Sequence, residues 1–266
     1  MIEAKEIVRG LECSRFGRKA YTFETIDSTN NCARTLAECD APEGALVFAE
    51  EQTAGKGRSG RTWVARPGEN LTFSIVLRPA FPPEQINLFP LGVAVAVAEG
   101  IHRSTGLTVE CKWPNDLMLA GRKCAGILME SALAGNGFAY IILGIGINVN
   151  QREFPEALRE RATSLALHAG HDLDRTGILQ GVLGSLERAY DTYTASGFQG
   201  VLPAWLARAQ MIGARVAVDM QGSIVNGTVT GISPEGGLQL HTATGDLTLF
   251  AGDVTIVTMD PYAPRN

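Results

Sequence analysis

Residues 50–77 read EEQTAGKGRSGRTWVARPGENLTFSIVL. The apolar run Leu46-Val47-Phe48 leads into this stretch, and the apolar run Leu71 to Leu77 closes it. A strand therefore enters a loop and another strand leaves it. Within the loop, Gly55, Gly57 and Gly60 alternate with Lys56, Arg58 and Arg61. Glycines allow close backbone approach to a ligand and turn N–H groups inward. Arginine adds a rigid fork of donors that suits phosphate and carboxylate oxygens. The loop reads as an anion clamp, with a mobile solvated surface loop as the plain alternative. Residues 55–60 also spell G-x-G-x-x-G, but a dinucleotide fingerprint requires a helix directly behind it. Pro67, Gly68 and an alternating strand pattern follow instead, and no G-x-x-x-x-G-K-[ST] phosphate loop occurs.

The chain has 266 residues, 45% of them hydrophobic, and a net charge of −5. That length suits one large domain and a small one. The acidic balance argues against DNA or other nonspecific nucleic-acid partners, which need a basic face. Positive charge clusters at Lys56, Arg58, Arg61 and Arg66, and again at Lys112, Arg122 and Lys123, as a small anionic ligand would require. No apolar run reaches the roughly 18–20 residues of a membrane span, and the N-terminus lacks a signal-peptide core. No membrane partner and a cytoplasmic location are expected. Cys13, Cys32, Cys39, Cys111 and Cys124 form no C-x-x-C pair and read as buried reduced thiols. No His/Cys cluster has zinc spacing, so no protein metal site is expected. The four histidines read as surface or satisfied positions.

Residues 1–20 are too few for a separate helix-turn-helix module. Tyr21 to Ile26 alternates like a strand. Asp27-Ser28-Thr29-Asn30 follows, ahead of helical spacing at Cys32, Ala33, Leu36, Ala37 and Cys39. These residues read most simply as a helix cap, although hydroxyls and an amide at such a junction can hold a polar ligand. An apolar helix is expected over Asn87–Ser104 and a strand over Leu107–Lys112. Pro114-Asn115-Asp116 and Ala120-Gly121-Arg122 are turns around a hairpin of Leu117–Leu119 with Lys123–Glu130. Lys112, Asp116 and Lys123 thus fall at strand ends, either solvated or facing a ligand. Ala139–Leu143 is a core strand running into Gly144-Ile145-Gly146-Ile147-Asn148, where two glycines permit close approach. Asn148 offers a donor and an acceptor on one amide, enough to read an adenine edge; a solvent-facing amide on a bulge is the alternative. Asp172-Leu173-Asp174 caps an amphipathic helix through Tyr190. From Ala214 onward, short strands at turn-punctuated spacing suggest a small β-barrel.

Four segments stand in order: IDSTN (26–30), EQTAGKGRSGRTW (51–63), KWPNDLMLAGRKCAGIL (112–128) and LGIGINVN (143–150). Together they resemble the catalytic domain of biotin protein ligase, and the similarity continues through TSLALHAGHDLDR (163–175) into the C-terminal strands. The resemblance implies an α+β fold. Its catalytic domain, residues 1–211, has a mixed, class II synthetase-like sheet flanked by helices. An SH3-like β-barrel follows over residues 212–266. The implied chemistry has two steps. Biotin is adenylated by ATP, with Mg²⁺, to biotinyl-5′-adenylate, and is then passed to a lysine of a biotin carboxyl carrier protein.

By the same resemblance, Ser28, Thr29, Asn30 and Gln52 meet the ureido end of biotin. The backbone of Lys56-Gly57-Arg58 and the strand at Gly126 complete the biotin pocket. Arg58 retains the adenylate, and Lys123 bridges carboxylate and α-phosphate. Trp63 stacks on adenine and Asn148 reads its edge. Arg61, Lys112, Asn115 and Asp116 belong to the nucleotide side, with Lys112 and Asp116 counted as catalytic beside Arg58 and Lys123. The family loop is often richer in arginine, and Lys56 and Ser59 depart from it here. Lys56 keeps the charge without the fork. The resemblance is to the form that ligates without repressing transcription, and it leaves room for a homodimer. Rival readings are a lipoate–protein ligase of the same fold, a biotin-responsive DNA-binding regulator and a non-catalytic binding module. Lipoate's dithiolane ring has no group to match a polar ureido site.

Overall fold

A computed structural model of the chain describes residues 1–258. Seven strands build the main sheet: β1 (Ala20–Ile26), β2 (Leu46–Gln52), β3 (Leu71–Leu77), β4 (Glu110–Lys112), β5 (Asp116–Leu119), β6 (Arg122–Ala134) and β7 (Gly137–Ile147). They lie in the order β1-β2-β3-β7-β6-β5-β4. Only β1 and β2 run parallel, joined across helix α1 (Thr29–Glu38); every other neighbouring pair is antiparallel. This is the mixed sheet that the motifs implied.

The two-residue period of a strand sorts the side chains onto two faces. Leu71, Phe73, Ile75 and Leu77 of β3 share one face with Ile141, Leu143, Ile145 and Ile147 of β7. That face packs on helices α2 (Phe89–Thr105) and α3 (Arg175–Ser196), the latter capped by Asp174, whose side chain accepts from the Thr176 N–H. On the opposite face, Val47, Val76 and Ile142 meet Ala33 and Ala37 of α1 in a second, smaller core. By the same alternation Ser74, Gly144 and Gly146 face α1, and this is the face that carries the site. β3 is buried at all seven positions, so its sequence reads as a continuous apolar run and hides the one serine in it. The first 19 residues, a short helix (Ala4–Val8) with its following loop, send Ile7, Leu11, Cys13 and Phe16 into the main core.

The C-terminal strands are β8 (Arg215–Met220), β9 (Ser223–Ile232), β10 (Leu238–Thr242), β11 (Gly245–Leu249) and β12 (Asp253–Thr258), in the order β11-β10-β9-β8-β12, all antiparallel. The expected barrel is therefore an SH3-like antiparallel sheet whose edge strands β11 and β12 do not pair. The expected domain end at residue 266 lies outside the described residues. Val216, Val218, Val229, Leu238 and Leu240 merge with the main core. Trp113 seals the junction: it is 2% exposed, and its indole N–H donates to the Gly236 carbonyl at 3.1 Å.

Three cysteines are buried as expected, and burial pushes the thiols of Cys13, Cys111 and Cys124 up to about 12. Cys39, by contrast, is exposed at the C-terminal end of α1, and Cys32 is half-buried at the margin of the smaller core. No helix among the described residues is long and apolar enough to cross a membrane.

Candidate active site

The site begins where β1 ends. Ser28 has the extended backbone of an N-cap, yet its side chain makes no capping bond. Its neighbours turn inward instead. The Thr29 N–H donates to Gln52 Oε1 at 2.7 Å, and the Thr29 hydroxyl lies 3.0 Å from the same oxygen. Ser74 Oγ of β3 lies 2.8 Å from Thr29 Oγ1 and 2.6 Å from Asn30 Oδ1. The Asn30 amide N–H₂ donates to Glu130 Oε2 of β6 at 2.7 Å. The simple cap is thus replaced by a buried polar cluster drawn from α1, β2, β3 and β6. Ser28, Thr29, Asn30 and Gln52 were legible in the sequence; Ser74 and Glu130 were not. Ser74 carried one signal, since it alternates with Thr72 and Val76 on the α1 face. A β-carbon at Gly144 would stand 2.2 Å from Asn30 Oδ1, so the cluster needs glycine there.

Residues 55–63 fold back as a small hairpin. Gly57 N–H donates to the Arg61 carbonyl at 2.7 Å and Trp63 N–H to the Gly55 carbonyl at 3.0 Å. Ser59 and Gly60 make the turn at φ 54° and 73°. Each cation of the loop has its own anchor. Lys56 Nζ donates to Asn31 Oδ1 at 2.6 Å and lies 3.7 Å from Glu130 Oε1. Arg58 donates to Asn115 Oδ1 at 3.1 Å, and Asn115 in turn donates to the Ile127 carbonyl at 2.6 Å. Arg61 pairs with Asp253 at the start of β12, tying the loop to the C-terminal sheet.

The indole of Trp63 lies on the sheet where Gly126 of β6 pairs with Gly146 of β7. A β-carbon at Gly146 would stand 2.3 Å from Trp63 Cε2, and one at Gly126 3.1 Å from Cζ3. The two glycines form an apolar floor with the indole over it, and the indole N–H is buried without a partner. Trp63, assigned to adenine from the motif, stands over this glycine floor. Gly146→Ala is expected to lift the indole and weaken ligand binding at least tenfold, about 1.4 kcal/mol. Calorimetry checks this, and unchanged affinity would show that the floor is not in use.

Lys123 Nζ, 5.7 Å from the Trp63 ring centroid, pairs with Asp116 Oδ1 at 2.5 Å. Lys112 stands opposite Asp116 in the β4–β5 backbone register. Burial pulls the Lys112 ammonium below its ordinary pKa; Asp116 opposes this, and Lys123 and Arg61 add to it. Burial likewise lowers Arg58, against Asp253 and Asp116. Among the described residues, Asp116 and Asp253 are the carboxylates that act on Arg58 and Lys112, and the four cations Arg58, Arg61, Lys112 and Lys123 together suit polyanionic oxygens. Beside them Asn148 is buried. Its N–H₂ is committed to the Thr163 carbonyl at 3.0 Å, while Oδ1 is buried without a partner. One N–H of the amide is thus used within the fold, while Oδ1 and the second N–H are left to a ligand.

β7 lays these parts out in line. Gly144 meets the polar cluster, Gly146 meets the indole, and Asn148 follows directly at the cationic end, at steps of about 7 Å for two strand residues. The arrangement can hold an elongated molecule with a polar head, an apolar middle and an anionic tail, beside a phosphate-bearing nucleotide. Residues 22–148 match the Biotin/lipoate A/B protein ligase family, and residues 211–257 match the Biotin protein ligase C terminal domain. The Bifunctional ligase/repressor BirA of Bacillus subtilis is 36% identical over 257 residues, 96% of this chain and 79% of that protein. The Biotin--[acetyl-CoA-carboxylase] ligase of Paracoccus denitrificans is 34% identical over 234 residues, 86% of this chain and 96% of that protein. The solved biotin protein ligase from Aquifex aeolicus in complex with biotin and ATP has a TM-score of 0.76 at 29% identity, covering 90% of this chain and 98% of that one. The chain belongs to the biotin protein ligase family, as its four motifs implied, and the family is one of enzymes.

Proposed function

We propose that this chain activates biotin with MgATP and transfers it to a lysine of a biotin carboxyl carrier domain. The observation that carries this reading is the linear order of polar recess, glycine-and-indole floor and cationic end along β7. Biotin has the matching order of ureido head, apolar ring and valeryl chain, and carboxylate. In the first step a carboxylate oxygen attacks the α-phosphorus of ATP and pyrophosphate leaves, giving the mixed anhydride biotinyl-5′-adenylate. In the second, the neutral ε-amine of the carrier lysine attacks the acyl carbon and AMP leaves, with one proton lost to solvent.

Lys123 stands where carboxylate and α-phosphate meet, and neutralises charge that two approaching anions would otherwise bring into contact. Arg58, held to Asn115, covers the adenylate; Arg61 and Lys112 serve the leaving pyrophosphate, with Asp116 orienting Lys123 and Lys112. The free Asn148 Oδ1 accepts from the adenine amino group, and a guanine carbonyl placed there would meet it acceptor to acceptor. Trp63 walls the valeryl chain against the glycine floor, shielding the reactive anhydride from water. Magnesium enters as part of the MgATP substrate, on phosphate oxygens and water. The carrier is taken from relatives named Biotin--[acetyl-CoA-carboxylase] ligase, and a cytoplasmic setting suits an adenylation that draws on ATP. No step needs DNA.

The test is biotin-dependent exchange of labelled pyrophosphate into ATP, with lipoate run in parallel. Exchange with biotin alone is expected. Exchange with lipoate alone would overturn the substrate and keep the adenylation chemistry; exchange with neither would overturn the reading.

A further inference from the structure

Resting on the biotin reading above, we propose that Glu130 makes the head-group recess select for ligand N–H donors, acting through Asn30, Ser74 and Thr29. An ionised carboxylate only accepts hydrogen bonds. Asn30 therefore turns its N–H₂ to Glu130 and its Oδ1 to Ser74. Behind Asn30 stand three oxygen–oxygen approaches: 2.6 Å from Ser74 to Asn30, 2.8 Å from Ser74 to Thr29, and 3.0 Å from Thr29 to Gln52. Only two hydroxyl hydrogens are available to fill them. The Thr29 backbone N–H fixes Gln52 with Oε1 inward, so Gln52 cannot supply the third. The row is one hydrogen short.

Turning Asn30 over would supply it, because N–H₂ would then face Ser74 and every contact would hold a hydrogen. That flip would set Asn30 Oδ1 against the carboxylate, and Glu130 forbids it. The Thr29 hydroxyl hydrogen is thus contested by two acceptors, and Thr29 and Ser74 are left rich in lone pairs. A ligand bringing N–H groups relieves the shortage; a thioether, disulfide or ether does not. Ser28, Thr29, Asn30 and Ser74 are each at most 4% exposed, so no bulk water competes for this imbalance. Glu130 itself, with a side chain 32% exposed, also receives Lys56 and approaches Arg34. Gly144 supplies the room for Asn30. Glu130 is accordingly a positioning residue that sets specificity without touching the ligand.

The test is a double-mutant cycle on the full chain, read as biotin dissociation constants by calorimetry without ATP. Glu130→Gln has the same shape but lets Asn30 turn over, which completes the row internally. It is expected to weaken biotin about tenfold, the loss of one good hydrogen bond. In a Ser74→Ala background, where the row is cut, the same change is expected to shift binding by less than about twofold. Lys56→Met, which removes the nearer of the two cations beside Glu130, is expected to leave that coupling intact. An equal loss in both backgrounds, or no loss in either, would overturn the proposal. Absence of biotin binding by the unsubstituted chain would overturn the functional reading as well.

Discussion

Lys123→Ala is expected to lower biotin-dependent pyrophosphate exchange by about a thousandfold, near 4 kcal/mol, the upper range for deleting one preorganised charge-stabilising group. The backbone of Lys123 is held on both sides: its N–H donates to the Arg161 carbonyl at 2.8 Å, and its carbonyl accepts from Thr163 at 2.9 Å. Its ammonium is aimed by Asp116 at 2.5 Å, so little reorganisation is needed when two anions meet. Alanine does more than remove a cation. It leaves the Asp116 carboxylate, only 22% exposed, facing incoming phosphates without its partner. The double variant Lys123→Ala, Asp116→Asn is therefore expected to recover part of the loss. Near-normal exchange by Lys123→Ala would remove the lysine from the first step.

Trp113→Ala is expected to destabilise the protein by about 3–5 kcal/mol, the usual cost of truncating a buried tryptophan. The ring lies where the last residues of the hairpin strands meet the C-terminal sheet, with Met211 Sδ 3.4 Å from its backbone N–H and the Gly236 carbonyl on its indole. Trp113→Phe keeps most of the apolar area and loses the indole bond, so it is expected to cost only about 1–2 kcal/mol. Urea unfolding midpoints distinguish these. A loss below 1 kcal/mol for alanine would mean that the two sheets are held together elsewhere. Because Trp113 stands between Lys112 and the Asn115-Asp116 turn, loosening it also disturbs the cations that those residues align.

The parts of the site that local chemistry specifies were readable in the sequence. A cationic glycine loop between two strands, two glycines on a core strand and an amide after them require no distant partner to be noticed. What escaped depends on faces and on distance. Ser74 is one hydroxyl in LTFSIVL, and only the two-residue period sets it opposite Thr29 and Asn30. Glu130 looks like the polar end of a strand until β6 is registered against β7 and α1 brings Asn30 to it. Asp253 meets Arg61 across nearly the whole chain, which no local pattern reveals. The Asp27–Asn30 run was read first as a cap because such residues usually are caps; here the pull of buried acceptors on β2, β3 and β6 outweighs that local preference. Short strands from Ala214 onward were legible from their turn-punctuated spacing, whereas closure depends on an edge pairing that composition does not report.

The pairing of β3 with β7 also sets a timetable. Residue 71 is zipped to residue 147 and residue 77 to residue 141. A ribosome adding about 5–20 residues per second delivers the recess-bearing α1, β2 and β3 several seconds before the strand that must cover their open edge. During that interval β3, which the finished protein buries at every position, is a nascent hydrophobic edge available to other chains. Synthesis of this enzyme therefore exposes that edge between the emergence of Leu77 and that of Ile141, a window that slower translation lengthens and a chaperone can cover.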